Sequence, residues 1–172
     1  MIRYLSNREI DRGRWDACIS AASCRRLYAF SWYLDTVSPG WDALVEDDYR
    51  AVFPLTHNRK FGISYLFQPF FAQQLGVFSP ENMDGGRVCA FLSAIPSRYR
   101  LTEISLNEGN ETPSNQVNLS VRPDYVLDLS PEYDAIEAAY AQNTRRNLKK
   151  AQAMAGLVHA TVTPCESVFC DF

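Results

Sequence analysis

Short apolar runs broken by turn residues fill the first two thirds of the chain, and one long run with helical spacing follows. Ile2–Leu5 predicts a strand. Over Arg8–Ala22, Ile10, Trp15 (or Arg14), Cys18 and Ala22 fall roughly on one stripe, which predicts a helix. Leu27–Val37 predicts a second, aromatic-rich helix closed by Ser38-Pro39-Gly40. Strands follow at Trp41–Glu46 and Tyr49–Thr56, joined by a turn at Asp47-Asp48. Asn58–Gly62 predicts a hairpin loop and Ile63–Phe67 its return strand, so these strands form an antiparallel meander.

Gln68–Ser79 has no clean period and predicts an irregular loop, with a short strand at Gly76–Phe78. Glu81–Ile95 predicts a helix. Arg100–Leu106 and Gln116–Val121 predict strands around a polar loop, Asn107–Asn115, and Tyr125–Leu129 predicts another strand. Next comes one long helix, with Ser130 as N-cap and Pro131 at its first position. Glu132, Asp134 and Glu137 lie toward its positive end, and Tyr133, Ile136, Tyr140, Leu148 and Ala151 keep helical spacing. Gly156 would cap it, Leu157–Val162 predicts a last strand, and Cys165–Phe172 the beginning of a helix.

Composition narrows the class. A chain of 172 residues, 47% hydrophobic and 22% charged, is that of a soluble globular protein able to bury a sizeable core. A net charge of −3 excludes bulk attraction to polyanions, so any such site must be a local patch. Aromatics reach 13% and concentrate between Tyr28 and Phe78, as an aromatic-rich core or an aromatic-lined groove. The five cysteines form no C-x-x-C, and the two histidines lack metal-ligand spacing. These features predict reduced thiols, a cytoplasmic location and no metal site. No apolar run reaches membrane-spanning length, so no integral membrane contact is expected. The sequons at Asn110 and Asn118 read as chance matches.

The cations at the end of the long helix carry the clearest candidate chemistry. Arg145 with Lys149, and Arg146 with Lys150, are i,i+4 pairs forming adjacent columns. Such a face suits a phosphate-rich ligand, because Arg offers bidentate contacts and Lys a mobile point charge. The competing account is complementation of the helix dipole. Lys60, at the predicted hairpin, would meet an anionic substrate group at the mouth of a cleft, or be a solvated turn lysine. Gln68, Gln73 and Gln74 lie among aromatics and could orient a peptide or sugar, or satisfy loop backbone. Trp32 and Tyr33 would line the same groove or join the core. His57, His159, Asp35, Asp47 and Asp48 read as structural.

Three segments then carry a resemblance: FSWYLD with WDALVEDD; YRAVFPLTHNRKFGISYLFQPFFAQQLGVFS; and YVLDLS–EYDAI–NTRRNLKKA–GLVHATV. Their order resembles the FemABX-like branch of the GNAT acyltransferase superfamily. The resemblance implies an α+β fold with a GNAT-like, mixed, largely antiparallel sheet flanked by helices. It implies a first domain over 1–129 and, over 130–172, a basic helix, a strand and the start of a second, truncated domain. Members transfer an acyl or aminoacyl group to an amine, and the best known build peptidoglycan cross-bridges from aminoacyl-tRNA. The implied function is therefore a FemAB-like transferase, with cell-wall precursor modification as its setting. No permanently bound cofactor is implied; the donor would be acyl-CoA or aminoacyl-tRNA, and the acceptor an anionic small molecule or peptide. The substrate-binding residues would be Trp32, Lys60, Gln68, Gln73, Gln74, Arg145, Arg146 and Lys149. The superfamily's Gln/Arg-x-x-Gly-x-Gly/Ala pyrophosphate motif is absent, since QQLGVF does not match it. The alternatives are an acyl-CoA-dependent small-molecule N-acyltransferase and a non-catalytic binding domain.

Overall fold

The computed structural model describes residues 1–111 and 119–154. The chain divides into a unit over Met1–Ser120 and a second that begins at Val121. The expected strands at Gln116–Val121 and Leu157–Val162, the Gly156 cap and the Cys165–Phe172 helix lie wholly or largely outside the described residues.

The first unit is α+β, with two three-stranded sheets flanked by helices. In the first sheet, β1 (Ile2–Leu5), β2 (Asp42–Glu46) and β3 (Ala51–Leu55) run antiparallel, with Ile2 opposite Glu46 and Glu46 opposite Ala51. The β2–β3 turn forms where expected, with Asp47 and Tyr49 in the left-handed region. Pro54 lacks an N–H, and β3 tolerates it because its far side pairs only through Val52 and Phe78.

Both faces of this sheet are covered. Ala43, Val45 and Val52 join Trp15, Ile19, Leu34 and Trp41 in one core cluster. Leu44, Ala51, Phe53 and Leu55 join Val88 and Phe91 in a second. The first cluster lies under α1 (Arg12–Ala21) and α2 (Ser31–Val37), the second under α3 (Gly85–Ser93). This two-sided burial explains why β2 and β3 read as continuous apolar runs.

Thr56 carries the chain from one sheet into the other. It is fully buried, donates Oγ1 to the Phe67 carbonyl at 2.6 Å and accepts the Phe67 N–H at 3.0 Å. The second sheet holds β4 (His57–Lys60), β5 (Ile63–Leu66) and β6 (Tyr99–Thr102). The β4–β5 pair is antiparallel and β5–β6 is parallel, joined through α3 as the crossover. The expected single meander is thus split at Thr56. The expected hairpin loop shortens to Phe61-Gly62, because Asn58–Lys60 pair with Ile63–Tyr65.

Local caps move two helix starts. Ser6 and Glu9 form a capping box on a short 3-10 turn, and Asp11 caps α1 by accepting the Arg14 N–H at 3.1 Å. Asp84 caps α3 by accepting the Arg87 N–H at 2.9 Å, so Glu81 stays outside that helix. Glu81 instead receives two 2.8 Å bonds from Arg50.

In the second unit, Tyr125–Leu129 forms no strand and its apolar side chains stay exposed. The expected single helix is two: α4 (Tyr133–Ala138), with Glu132 at its N-cap, and α5 (Gln142–Gln152). Ser130 does not cap; its hydroxyl donates to Asp128 Oδ1 at 2.7 Å. Ala141 takes extended backbone (φ −58°, ψ 149°) between the helices, a break that no residue in Ala138–Gln142 calls for by propensity.

Gly76 gives a direct test of the first unit's packing. Its φ is +95°, and a Cβ there would lie 2.3 Å from Asn110 Oδ1 and 3.3 Å from the Leu106 backbone. Gly76→Ala is expected to destabilise the protein by about 2 kcal/mol or more, read as a lower denaturant midpoint.

Candidate functional site

The expected site residues fall into two groups, one in each unit. Arg145, Arg146, Lys149 and Lys150 all lie on α5 and are exposed. The helix contains no acidic residue, and none of the four makes an ion pair with a described residue. Arg145 donates to the Ala138 carbonyl at the end of α4, where a cation also meets the negative end of that helix. Arg146 donates to Asn143 Oδ1 at 2.7 Å. Lys149 and Lys150 lie in the last turn of α5. An open space of about 870 Å³ borders this face, and every described lining residue belongs to α5 or to Ala153 just after it. It is an open cationic surface, suited to an extended anion more than to an enclosed small molecule.

The other residues lie in the first unit. Trp32 is 56% exposed on α2, its ring edge-on to Tyr33 at 5.5 Å. The Tyr33 hydroxyl donates to the Phe71 carbonyl at 2.8 Å, which ties α2 to the Gln68–Gln74 loop. Gln68 braces that loop: its Nε2 donates to the Ala72 carbonyl at 2.6 Å and its Oε1 accepts the Ser105 N–H at 3.0 Å. Gln74 accepts from Arg26 Nε at 3.3 Å, and Gln73 is exposed. Trp32 and the glutamines thus gather around one loop, with Gln68 in the backbone-satisfying role. Lys60 ends β4 opposite Ile63, five residues before Gln68 and so roughly 16 Å from it along an extended chain.

Sequence reasoning passed over the densest polar cluster. Asp42 is 6% exposed, and its Oδ2 accepts from Tyr4 Oη at 2.6 Å, Tyr99 Oη at 2.9 Å and Arg98 Nη2 at 3.0 Å. Its Oδ1 accepts the Asn7 N–H at 3.0 Å. His57 Nε2 lies 3.1 Å from Oδ2 but lacks hydrogen-bond geometry, and that nitrogen is buried without a hydrogen-bond partner. The contributors come from β1, β2, β4 and β6 with the residues flanking them, and no sequence spacing announces such a set. Burial is the largest cause pushing the Tyr99 hydroxyl well above the usual phenol range; Arg98 opposes it and the bond to Asp42 adds to it. Burial likewise raises Tyr4, with its bond to Asp42 adding. The carboxylate is fully occupied by donors, so the cluster serves to join the two sheets.

Burial pushes the Cys18 thiol up to about 11, which leaves it unreactive in the core. No group of described His, Cys, Asp or Glu residues could hold a metal ion. No described helix is long and apolar enough to cross a membrane. A cleft of about 40 Å³ beside Cys24, Asn107 and Asn110 suits a water at most. No protein-family model, curated protein or solved structure matches the chain.

Two measurements check the aspartate cluster. Asp42→Ala leaves four donors without their acceptor and is expected to cost roughly 3 kcal/mol in denaturant unfolding. An unfolded phenol ionises near pH ~10, whereas folded Tyr99 keeps its proton to higher pH. Its contribution is therefore complete below about pH 10 and falls as pH rises further, because the unfolded state then binds fewer protons. Tyr99→Phe should flatten that alkaline loss of stability; an unaltered pH profile would contradict the assignment.

Proposed function

We propose that this chain carries the first domain of a FemAB-like N-acyltransferase and the basic helix that opens its second. The observation that supports this reading is the α5 face, with four cations in two columns and no carboxylate among them. A phosphate-rich donor or acceptor is the ligand such a face takes up. The element order of the first unit, two mostly antiparallel sheets with flanking helices, is compatible with a GNAT-like domain.

In the reaction proposed, the nitrogen of a substrate amine bonds to the carbonyl carbon of an activated acyl group. The carbonyl's bond to the donor's sulfur or oxygen breaks, and the amine loses a proton. The share assigned to this chain is binding and positioning, which converts a bimolecular encounter into an oriented one. Trp32 and the Gln68–Gln74 loop would bind the acceptor, and Arg145, Arg146 and Lys149 the phosphate-bearing partner.

Titration with tRNA and with coenzyme A, at several salt concentrations, tests this. Arg145→Glu/Arg146→Glu should weaken binding at least tenfold, and the slope of log K against log salt should fall by about 1 for each lost phosphate contact. All four cations are exposed, so circular dichroism should be unchanged. Equal affinity in the variant would sink the cationic-face reading. Coenzyme A binding in place of tRNA would assign an acyl-CoA donor.

A further inference from the structure

The second sheet departs from the first in charge and in exposure. Its strands contain Arg59, Lys60 and Arg100 and no carboxylate, in a chain whose net charge is −3. None of these three cations makes an ion pair with a described residue. Pairing of Lys60 with Ile63, of Asn58 with Tyr65 and of Tyr65 with Leu101 places all five residues on one face. That face is open: Ile63 is 53% exposed and Leu101 60%. The opposite face carries Leu66 and Tyr99 into the core.

The turn adds an aromatic tip. Phe61 has φ +50° and Gly62 φ +81°, so both central residues of the hairpin are left-handed. Asn or Asp is the usual first residue of such a turn, and a bulky side chain there is an outlier. Phe61 is nonetheless 93% exposed, with Lys60 Nζ 5.6 Å from its ring centroid. Backbone strain of this kind clusters at ligand-binding and switch positions.

We propose that this hairpin and the open face beside it dock on an anionic lipid bilayer. Phe61 enters the boundary between headgroups and acyl chains, and Ile63 and Leu101 follow it. Lys60, on that face, and Arg59, held beside the turn by its Nε bond to the Gly62 carbonyl at 3.3 Å, meet the lipid phosphates. Charge complementarity selects an anionic surface, because each basic residue near such a surface adds attraction and the nearest carboxylate along the sheet, Glu103, follows β6 at the end away from the Phe61 turn. The side chains select lipid over single-stranded nucleic acid. Bases stack on flat π-faces, whereas the most exposed apolar residues of that face are the branched aliphatics Ile63 and Leu101, with Tyr65 only half-exposed between them. The contact is peripheral, with an apolar tip and basic flanks lying at the interface.

The test uses the full chain and sedimentation with vesicles of phosphatidylglycerol and phosphatidylcholine, against phosphatidylcholine alone. Binding is expected only to the anionic vesicles. Arg59→Gln and Lys60→Gln should each weaken it about fivefold. Phe61→Asn should weaken it about tenfold or more while keeping the fold, since Asn tolerates left-handed backbone. Tryptophan fluorescence of the Phe61→Trp variant should be quenched by lipids brominated on the acyl chains. Absence of vesicle binding overturns the proposal, as does equal binding by Phe61→Asn. Binding lost only in Arg145→Glu/Arg146→Glu assigns the vesicles to α5 and also overturns it. Hairpin-dependent binding of single-stranded RNA without vesicle binding does the same.

Discussion

The buried carboxylate of Asp42 constrains the first unit more than any other group. A charge with 6% exposure is tolerable only when fully paired. Tyr4, Tyr99, Arg98 and the Asn7 N–H supply that pairing from opposite ends of the sequence. Tyr4 and Asp42 belong to the first sheet, His57 and Tyr99 to the second. The two sheets therefore have one mutual placement that satisfies the carboxylate, whereas apolar contacts alone would allow several. Thr56 acts with it, because the chain changes sheets one residue before His57 and the Thr56–Phe67 bonds hold that corner.

That arrangement settles which aromatics are core and which are surface. Trp15 and Trp41 lie 4.6 Å apart between the first sheet and its helices; Trp15 Nε1 donates to Ala29 and Trp41 Nε1 to Asp35. Asp35, read from sequence as structural, serves the core in this way and also pairs with Arg12. Phe61, Phe70 and Phe71 are at least 87% exposed, and two of them, Phe61 and Phe71, have positive φ. The aromatic excess in the composition combines two populations, a packed core and turn residues held outward.

Much of the first unit was legible because local signals and burial agree there. Ile2–Leu5, the Asp47-Asp48 turn and the apolar run of β2 each follow from short-range pattern, and the structure places them accordingly. Tyr125–Leu129 has the same kind of pattern and forms no strand, because a strand requires a partner edge as well as propensity. Helix starts shifted where an aspartate outcompeted an earlier position, as Asp84 did over Glu81. The cations of α5 were legible as a set because i,i+4 spacing is local. The Asp42 cluster was not, since its members meet only after both sheets form. His57 illustrates the limit: its neighbours in sequence give a turn-adjacent polar residue, and only the fold sets its ring 5.6 Å from that of Tyr99.

Among the described residues, two groups of cations without an ion pair stand in chemically distinct settings, although the net charge is −3. On α5 they stand among amides, Gln142, Asn143 and Asn147, which hydrogen-bond to phosphates and sugars and offer little to hydrocarbon. On the second sheet they stand beside Phe61, Ile63 and Leu101, which offer little to a hydrated polyanion. Cations alone cannot discriminate among anionic partners, because phosphate looks alike on a nucleotide and on a lipid. The neighbouring side chains discriminate, by what they gain or lose when water leaves the interface. That one difference is what supports a phosphate-rich soluble ligand at α5 and a bilayer surface at the second sheet as the proposed partners.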